Sequence, residues 1–348
     1  MNILLVSPIA PPVGGMATWT EHYLKKSKNI NNIYLVNTAL IGKRASQNAG
    51  YINVFNEIKR FFNIIKAYYS FINTNKIDVI HINSASSKTG IIRDAVCVGL
   101  ANKHKIVFHC HCNVQDQLQG QIASILGKYI FNNVSAILVL NRKSQEFIKK
   151  QTKKKIFMLP NSIDIQSISA NFQVSREIRN IIYVGHVKPE KGINEIIKTA
   201  LIYKEMTFHI VGPIYMNLDE LFLPNNLIFH GNKKHEVVIE MMKKADIFLF
   251  PSYTEGFSMV MLEAMAAGLP IIASDVGANS EMLESYGGLI IKPKSSEAIF
   301  QAIEYMKPRD VREKMSKWNL RKIKKYYNDD IIFRKTQEIY HEINIESN

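Results

Sequence analysis

The chain contains no run of eighteen or more apolar residues, so no segment reads as a transmembrane helix. Its opening, MNILLVSPIAPP, lacks the basic lead and long apolar stretch of a signal peptide and reads as a first strand. Only three cysteines occur, Cys97, Cys110 and Cys112. They do not suggest a disulfide framework, and a reduced, cytoplasmic setting is expected. A Gly-x-Gly-x-x-Gly is missing, so a dinucleotide is not indicated. No internal repeat at solenoid spacing is found.

Acidic residues are scarce in one half. Residues 1–165 hold 21 Lys+Arg against 7 Asp+Glu, whereas residues 166–348 hold 23 of each. The whole formal excess of +14 therefore sits in the first half. Such segregation predicts a surface that meets an anion: a membrane leaflet, a lipid-linked pyrophosphate or nucleic acid. The run KKQTKKK (Lys149–Lys155) has no interleaved aromatics and no reader motif. It reads as a solvated helix end, and no nucleic-acid partner is expected.

What is present is the profile of a globular protein, 47% hydrophobic and 21% charged over 348 residues, enough for two cores. Asn2–Ser7, Ile33–Asn37, Val79–Asn83, Ile106–Cys110 and Ala136–Leu140 read as buried strands with helices between them. The first is followed by a Pro/Gly loop, Pro8–Gly15, and a helix from about Ala17 to Lys28. After a polar stretch, Ile165–Ser175, the pattern restarts at Asn180–Gly185, Thr207–Gly212, Asn226–His230, Asp246–Pro251 and Pro270–Ser274. Two successive α/β sets predict two Rossmann-like domains with parallel sheets, facing across a cleft. The expected division is 1–167 plus a C-terminal helix at about 328–348, and 168–327. A basic helix from about Asp310 to Tyr327 precedes the amphipathic segment Ile331–Ile343.

The strand Asp246–Pro251 runs into a polar loop, Ser252–Gly256, and a helix begins near Phe257 or Ser258. A helix start at a strand's carboxyl end presents backbone N–H groups and a positive dipole end, which suits a diphosphate. Gly256 permits close approach, and Glu255 can accept hydrogen bonds from hydroxyls. Glu263 falls among the apolar residues Met259, Leu262 and Ala266. A carboxylate there either bonds paired sugar hydroxyls or sits at the rim of the stripe, solvated or salt-bridged.

In PSYTEGFSMVMLEAMAAG (Pro251–Gly268), Glu255 and Glu263 are separated by seven residues. Pro251, Ser252, Gly256, Phe257, Leu262, Ala264, Met265 and Gly268 surround them. The segment resembles the signature of retaining glycosyltransferase family four, also called glycosyl transferases group one, whose members have the two-domain GT-B fold. The resemblance implies that Glu255 contacts the donor sugar, Glu263 the ribose, and amides near Gly256, Phe257, Ser258 and Met259 the diphosphate. IIYVGHVKPEKGINEII (Ile181–Ile197) resembles the family's G-R-x-x-x-x-K turn, whose two cations bind the donor diphosphate. Lys191 matches the lysine, but position 186 is His where the family usually has Arg. A permanent bidentate cation is thus replaced by a group mostly neutral near pH 7, with Lys188 close enough in sequence to compensate. MLPNSID (Met158–Asp164), IVGP (Ile210–Pro213) and Asp275–Gly277 also resemble family segments.

The resemblance extends to the first half. Gly14–Gly15 follows the first strand, where a glycine pair is either a tight turn or a close approach to phosphate. In the family this position faces the donor phosphate and the acceptor. In VFHCHC (Val107–Cys112) an extended strand sends His109 and His111 to one side, Cys110 and Cys112 to the other. Ligands on opposite faces cannot close one tetrahedral site, so no metal is expected. The family's histidine at this strand end points at the donor sugar. By that register His111 is the match and His109 the second choice, His111 donating a hydrogen bond or polarising the reacting centre. DVIHINSASSKTGIIRDA (Asp78–Ala95) resembles a subgroup that builds capsular and exopolysaccharide repeats, which marks Ser84–Ser87 and Arg93 as acceptor-side contacts.

No Asp-x-Asp occurs, the motif with which metal-dependent sugar transferases of another fold hold a cation on the diphosphate. Neutralisation by Lys191, a helix dipole and backbone amides is expected instead. The resemblance implies a retaining transferase with a nucleotide-sugar donor of the UDP class and no other cofactor. The acceptor is a glycan or a polyprenyl-linked oligosaccharide. Two other readings stay open: a sugar-nucleotide epimerase, and a non-catalytic basic surface-binding protein on a transferase scaffold. Ile58, Phe61, Phe62, Ile65, Tyr69 and Ile72 recur at helical spacing beside Lys59, Arg60 and Lys66. That helix either docks on an anionic leaflet at the inner face of the cell membrane or packs on its own sheet.

Overall fold

A computed structural model describes residues 1–11, 14–39, 54–101, 103–168 and 173–345. Pro12 and Val13 of the loop Pro8–Gly15, residues 169–172 of the stretch Ile165–Ser175, and residues 346–348 lie outside the described residues. The chain forms two compact units, Met1–Asn161 with Asp330–Asn348, and Ser162–Asp329.

In the first unit the order is β1 (Asn2–Ser7), α1 (Gly15–Ser27), β2 (Asn32–Asn37), α2 (Val54–Thr74), β3 (Val79–Ser84) and α3 (Lys88–Leu100). Then come β4 (Ile106–Cys110), α4 (Val114–Gln117), α5 (Gln121–Asn133), β5 (Ala136–Val139), α6 (Arg142–Lys149) and β6 (Lys155–Met158). The second unit holds β7 (Asn180–Val184), α7 (Ile193–Ile202), β8 (Thr207–Val211), β9 (Leu227–Gly231), α8 (His235–Lys244) and β10 (Ile247–Phe250). It continues with α9 (Met259–Ala266), β11 (Ile271–Ser274), α10 (Asn279–Leu283), β12 (Gly288–Ile291), α11 (Ser296–Met306) and α12 (Arg309–Tyr326). The chain's last helix, α13 (Asp329–Ile345), packs on the first unit.

Both sheets are parallel throughout, in the orders β2-β1-β3-β4-β5-β6 and β12-β11-β10-β7-β8-β9. Central strands such as β3, β4, β5 and β10 are buried along their whole length, as a sheet covered on both faces requires. The alternation of side chains divides the first unit's core in two. Ile80, Ile82, Phe108 and Ile137 pack beneath α2, α3 and α5, while Val79, Val107 and Leu138 meet Trp19, Tyr23 and Tyr340 from α1 and α13. In the second unit the buried Asn319 of α12 donates to the Leu269 and Gly287 carbonyls, both at 2.7 Å, tying that helix to the segments that lead into β11 and β12.

Two edge strands, β6 and β12, are additional to those read from the sequence. β6 begins inside the lysine run, and its Lys155 meets Glu342 of α13 at 2.7 Å. Charge on an edge strand hides it from a hydrophobic reading and also guards the edge against other chains. Helix α2 splits its apolar residues. Ile64, Tyr68 and Ile72 are buried on the sheet, whereas Phe55, Ile58, Phe62 and Tyr69 are exposed.

Phe248 of β10 is fully buried and stacks on Phe250 with ring centroids 5.6 Å apart. Phe248→Ala is expected to lower unfolding free energy by about 3–5 kcal/mol in a denaturant titration. Lys154→Ala, at an exposed position, is expected to change it by less than about 0.5 kcal/mol.

Candidate active site

The second sheet reverses its strand order between β7 and β10, and ligands of such sheets bind where the carboxyl ends meet that reversal. Lys191 ends a short 3-10 turn, Pro189–Lys191, after β7, and Glu255 lies in the loop after β10. The Lys191 ammonium donates to the Glu255 carboxylate, with the two side chains only 20% and 13% exposed. Little water competes at that degree of burial, so the pair holds its geometry better than a surface ion pair would.

Three contacts hold the loop around Glu255. The Tyr253 amide donates to the Glu190 carbonyl at 2.9 Å, and the Tyr253 hydroxyl meets both oxygens of the buried Glu195 at 2.9 and 2.8 Å. Ala278 N–H donates to the Gly256 carbonyl at 3.0 Å. Two glycines make the approach possible. A Cβ on Gly192 (φ +77°) would lie 2.3 Å from the Pro251 carbonyl oxygen, and one on Gly277 (φ +57°) 2.5 Å from that of Glu255. Lys294 sits 5.1 Å over the Tyr253 ring.

His186 is half-buried and rests edge-on against Tyr215, with centroids 5.3 Å apart. Burial and then the charges of Lys188 and Lys191 push its pKa down, with Glu255 acting in the opposite sense. Position 186 therefore contributes a neutral ring near pH 7. Ser258 caps α9 by accepting from the Met261 N–H at 3.3 Å, and Phe257 packs edge-on against Tyr327 at 5.7 Å. Met259 opens the helix and packs on the core.

Glu263, a turn further along α9, is 16% exposed and accepts from His235 Nε2 at 3.1 Å. This contact corresponds to the salt-bridged rim, one of the two readings of Glu263 from the sequence. His235 opens α8, and its pKa is raised chiefly by the hydrogen bond to Glu263.

The first unit gathers its residues at the ends of β1, β3 and β4. His111 and His109 lie on the same side, with ring centroids 4.0 Å apart, and Trp19 presents its ring edge-on to both. Cys110 and Cys112 belong to the opposite core layer. His81 Nδ1 meets the Tyr340 hydroxyl, and its Nε2 lies 3.0 Å from Asn83 Oδ1 and 3.3 Å from His109 Nδ1. Burial holds the pKa of His81 and of His111 down at about 3, and that of His109 well below the ordinary imidazole value. All three rings are therefore neutral.

Gly14 and Gly15 are exposed at the start of α1, and a Cβ on Gly14 would meet nothing within 4 Å. Packing does not demand glycine at position 14. Ser84 and Arg93 converge on one buried carboxylate. Ser84 donates to Asp94, and Arg93 reaches the other Asp94 oxygen with two nitrogens at 2.8 and 2.6 Å. Both side chains are engaged with Asp94. Tyr253, Glu195, His235, Asn83 and Tyr340 were not singled out by the sequence pattern. The one visible signal was His81-x-Asn83, a polar pair facing one side of an otherwise apolar strand.

Against proteins of known family, residues 164–322 match the model for glycosyl transferases group 1. TuaC of Bacillus subtilis (strain 168), assigned as a teichuronic acid biosynthesis glycosyltransferase, is 31% identical over 189 residues, 51% of this chain and 48% of TuaC. The match thus spans about half the length of that relative. The uncharacterized glycosyltransferase MJ1178 of Methanocaldococcus jannaschii is 24% identical over 337 residues, 90% of this chain and 87% of the relative. Among solved structures, Anabaena Alr3699/HepE in complex with UDP and glucose superposes with a TM-score of 0.75. It is 15% identical and covers 98% of this chain and 100% of its own, a likeness of fold.

Two outcomes test this geometry. Tyr253→Phe leaves the buried Glu195 without its donor and is expected to cost about 1–3 kcal/mol in unfolding free energy, measured by denaturant titration. His235 is expected to titrate above an ordinary histidine in an NMR pH series, and Glu263→Gln to bring it down. Because the pKa is raised, the pair's contribution is complete below the ordinary imidazole value and is lost as pH rises through the raised one.

With the paired glutamates in the loop and helix after β10, and Lys191 set against Glu255, the unit that carries residues 164–322 matches the glycosyl transferases group 1 family.

Proposed function

We propose that the chain moves a sugar from a nucleotide-sugar donor of the UDP class to a glycan or polyprenyl-linked acceptor, in the assembly of a bacterial surface polysaccharide. The observation that carries this reading is the pairing of Lys191 with Glu255 at the carboxyl ends of neighbouring strands, beside the start of α9. A diphosphate there gains one cation, a helix dipole and backbone amides, while sugar hydroxyls gain a carboxylate acceptor. TuaC's assignment and the UDP and glucose of the HepE structure support the product and donor classes.

In this reading Lys191, helped by Lys188, moves from Glu255 to the diphosphate, and Glu255 turns to the sugar. Glu263 exchanges His235 for the ribose hydroxyls. His186 is a neutral hydrogen-bonding group on the diphosphate, and Gly15 lets the chain approach it. His111 meets the donor sugar, while Gly14, Ser84, Arg93 and His109 serve the acceptor side. The anomeric configuration is retained by front-face attack. The acceptor hydroxyl bonds to the anomeric carbon on the side from which the nucleoside diphosphate departs, and the leaving phosphate takes the hydroxyl proton. Lys191 and α9 stabilise the departing charge without a metal ion.

Incubation with a panel of UDP-, GDP- and ADP-sugars is expected to release UDP, and Glu255→Ala to lower that release at least about 100-fold. An NMR assignment of the product linkage is expected to show the donor's own anomeric configuration. Inversion would overturn the retaining step. No release with any donor from a folded protein would favour the non-catalytic reading, and epimerised donor the epimerase.

We further propose that the first unit rests on an anionic membrane surface. Among the described residues no helix is long and apolar enough to cross a membrane. Helices α2, α3 and α5 lie side by side over one core layer, and their outward faces carry Phe62, Val96, Ile122 and Ile125 among other exposed apolar side chains. The basic excess of the same half matches that chemistry, through Lys59 and Lys66, although Arg60 is engaged with Glu57 and the Thr38 and Ala39 carbonyls. Phe62→Glu with Ile125→Glu is expected to abolish co-sedimentation with phosphatidylglycerol vesicles and leave UDP affinity unchanged.

A further inference from the structure

We infer that Asn83 is a positioning residue that fixes His111 as the neutral Nε2–H tautomer, so that His111 meets its ligand through Nδ1 as a hydrogen-bond acceptor. The inference follows from counting protons along one buried chain, beginning at its far end. The Met16 carbonyl can only accept, so the single hydroxyl proton of Thr20 goes to it, at 2.8 Å. Ser7 lies 2.5 Å from the Thr20 oxygen and must therefore donate to it. With its own proton committed, Ser7 can only accept from Asn83 at 2.8 Å, so the Asn83 amide nitrogen faces Ser7. The Asn83 oxygen must then face the opposite way, towards the histidines.

An amide oxygen is an acceptor only. Two ring nitrogens lie 3.0 Å from it, His81 Nε2 and His111 Nε2, and each must carry a proton. With His81 neutral and Nε2 protonated, its Nδ1 is left as an acceptor facing the Tyr340 hydroxyl. His109 Nδ1, 3.3 Å from the protonated His81 Nε2, is likewise an acceptor. Burial keeps the rings uncharged, which leaves Nδ1 of His111 bare. That atom is buried, and the Asn161 side chain is the hydrogen-bonding group beside the ring, raising its pKa against the effect of burial. The titratable groups beside His111 are His81 of β3 and His109 of β4, and His81 in turn meets Tyr23 of α1 and Tyr340 of α13.

The consequence is chemical. His111 cannot give a proton to a sugar hydroxyl or to a leaving group. It can take a hydrogen bond from a hydroxyl, orienting that group and raising electron density on its oxygen. The same chain ends on the first turn of α1, so the glycine turn at Gly14–Gly15 and His111 share one hydrogen-bonded support.

The functional half of this inference rests on the proposal that His111 works on the donor sugar; the tautomer itself does not. Long-range nitrogen–proton NMR of the full-length protein labelled in histidine reads the tautomer directly. His111 is expected to show a protonated Nε2 and a bare Nδ1 between about pH 5 and 8. A protonated Nδ1 at neutral pH would overturn the inference. Asn83→Asp offers the same oxygens with a negative charge and raises the His111 pKa towards neutrality. Its turnover is expected to fall as pH drops through that raised value, because the protonated ring becomes a donor at Nδ1, while wild type lacks this limb. Equal loss at every pH would assign Asn83 a merely structural part. Undiminished turnover in His111→Phe, with the wild-type tautomer as expected, would instead remove His111 from the reaction.

Discussion

Every strand among the described residues runs parallel to its neighbours, and most of what the protein can do depends on that constraint. A parallel strand cannot be joined to the next by a tight turn; the chain must cross over and return. All carboxyl ends of a sheet therefore open on one edge, and all the loops that follow strands collect there. Where the strand order reverses, two such loops diverge and leave room for a ligand. In the second unit those loops carry Lys191 and Glu255, placed by β7 and β10. In the first the glycine pair that starts α1 follows β1, Asn83 and Ser84 end β3, and His111 follows β4.

Opposite electrostatic solutions operate in the two clusters. The second unit keeps charge, as a cation and a carboxylate held together at partial burial. Each offsets the desolvation of the other. The first unit removes charge. Its three histidines are buried deeply enough to stay neutral, so a chain of neutral hydrogen bonds fixes their direction. A neutral, oriented group suits contact with hydroxyls, whereas a cation suits a diphosphate.

The fold was legible because buried parallel strands are nearly continuous apolar runs, and Ile106–Cys110 or Ile247–Phe250 cannot be read otherwise. β6 escaped because lysines open it, and β12 because Gly-Leu-Ile-Ile is too short to show a period. The site was legible only where a motif concentrates it, as in Glu255, Glu263 and Lys191. Partners supplied by distant segments left no local signal. Tyr253 is separated from Glu195 by 58 positions, and His81 from Tyr340 by 259. Spacing says nothing about such pairs, because the crossovers between strands bring them together.

The central claim is that the Lys191 end of the second unit holds a nucleoside diphosphate. Calorimetric titration of UDP into wild type, Glu255→Gln and Lys191→Gln tests it most directly. Loss of a charge-assisted contact should weaken UDP about tenfold or more in Lys191→Gln, while Glu255→Gln, freed of its pairing, should bind UDP at least as well as wild type. Equal UDP affinity in wild type and Lys191→Gln would contradict the account.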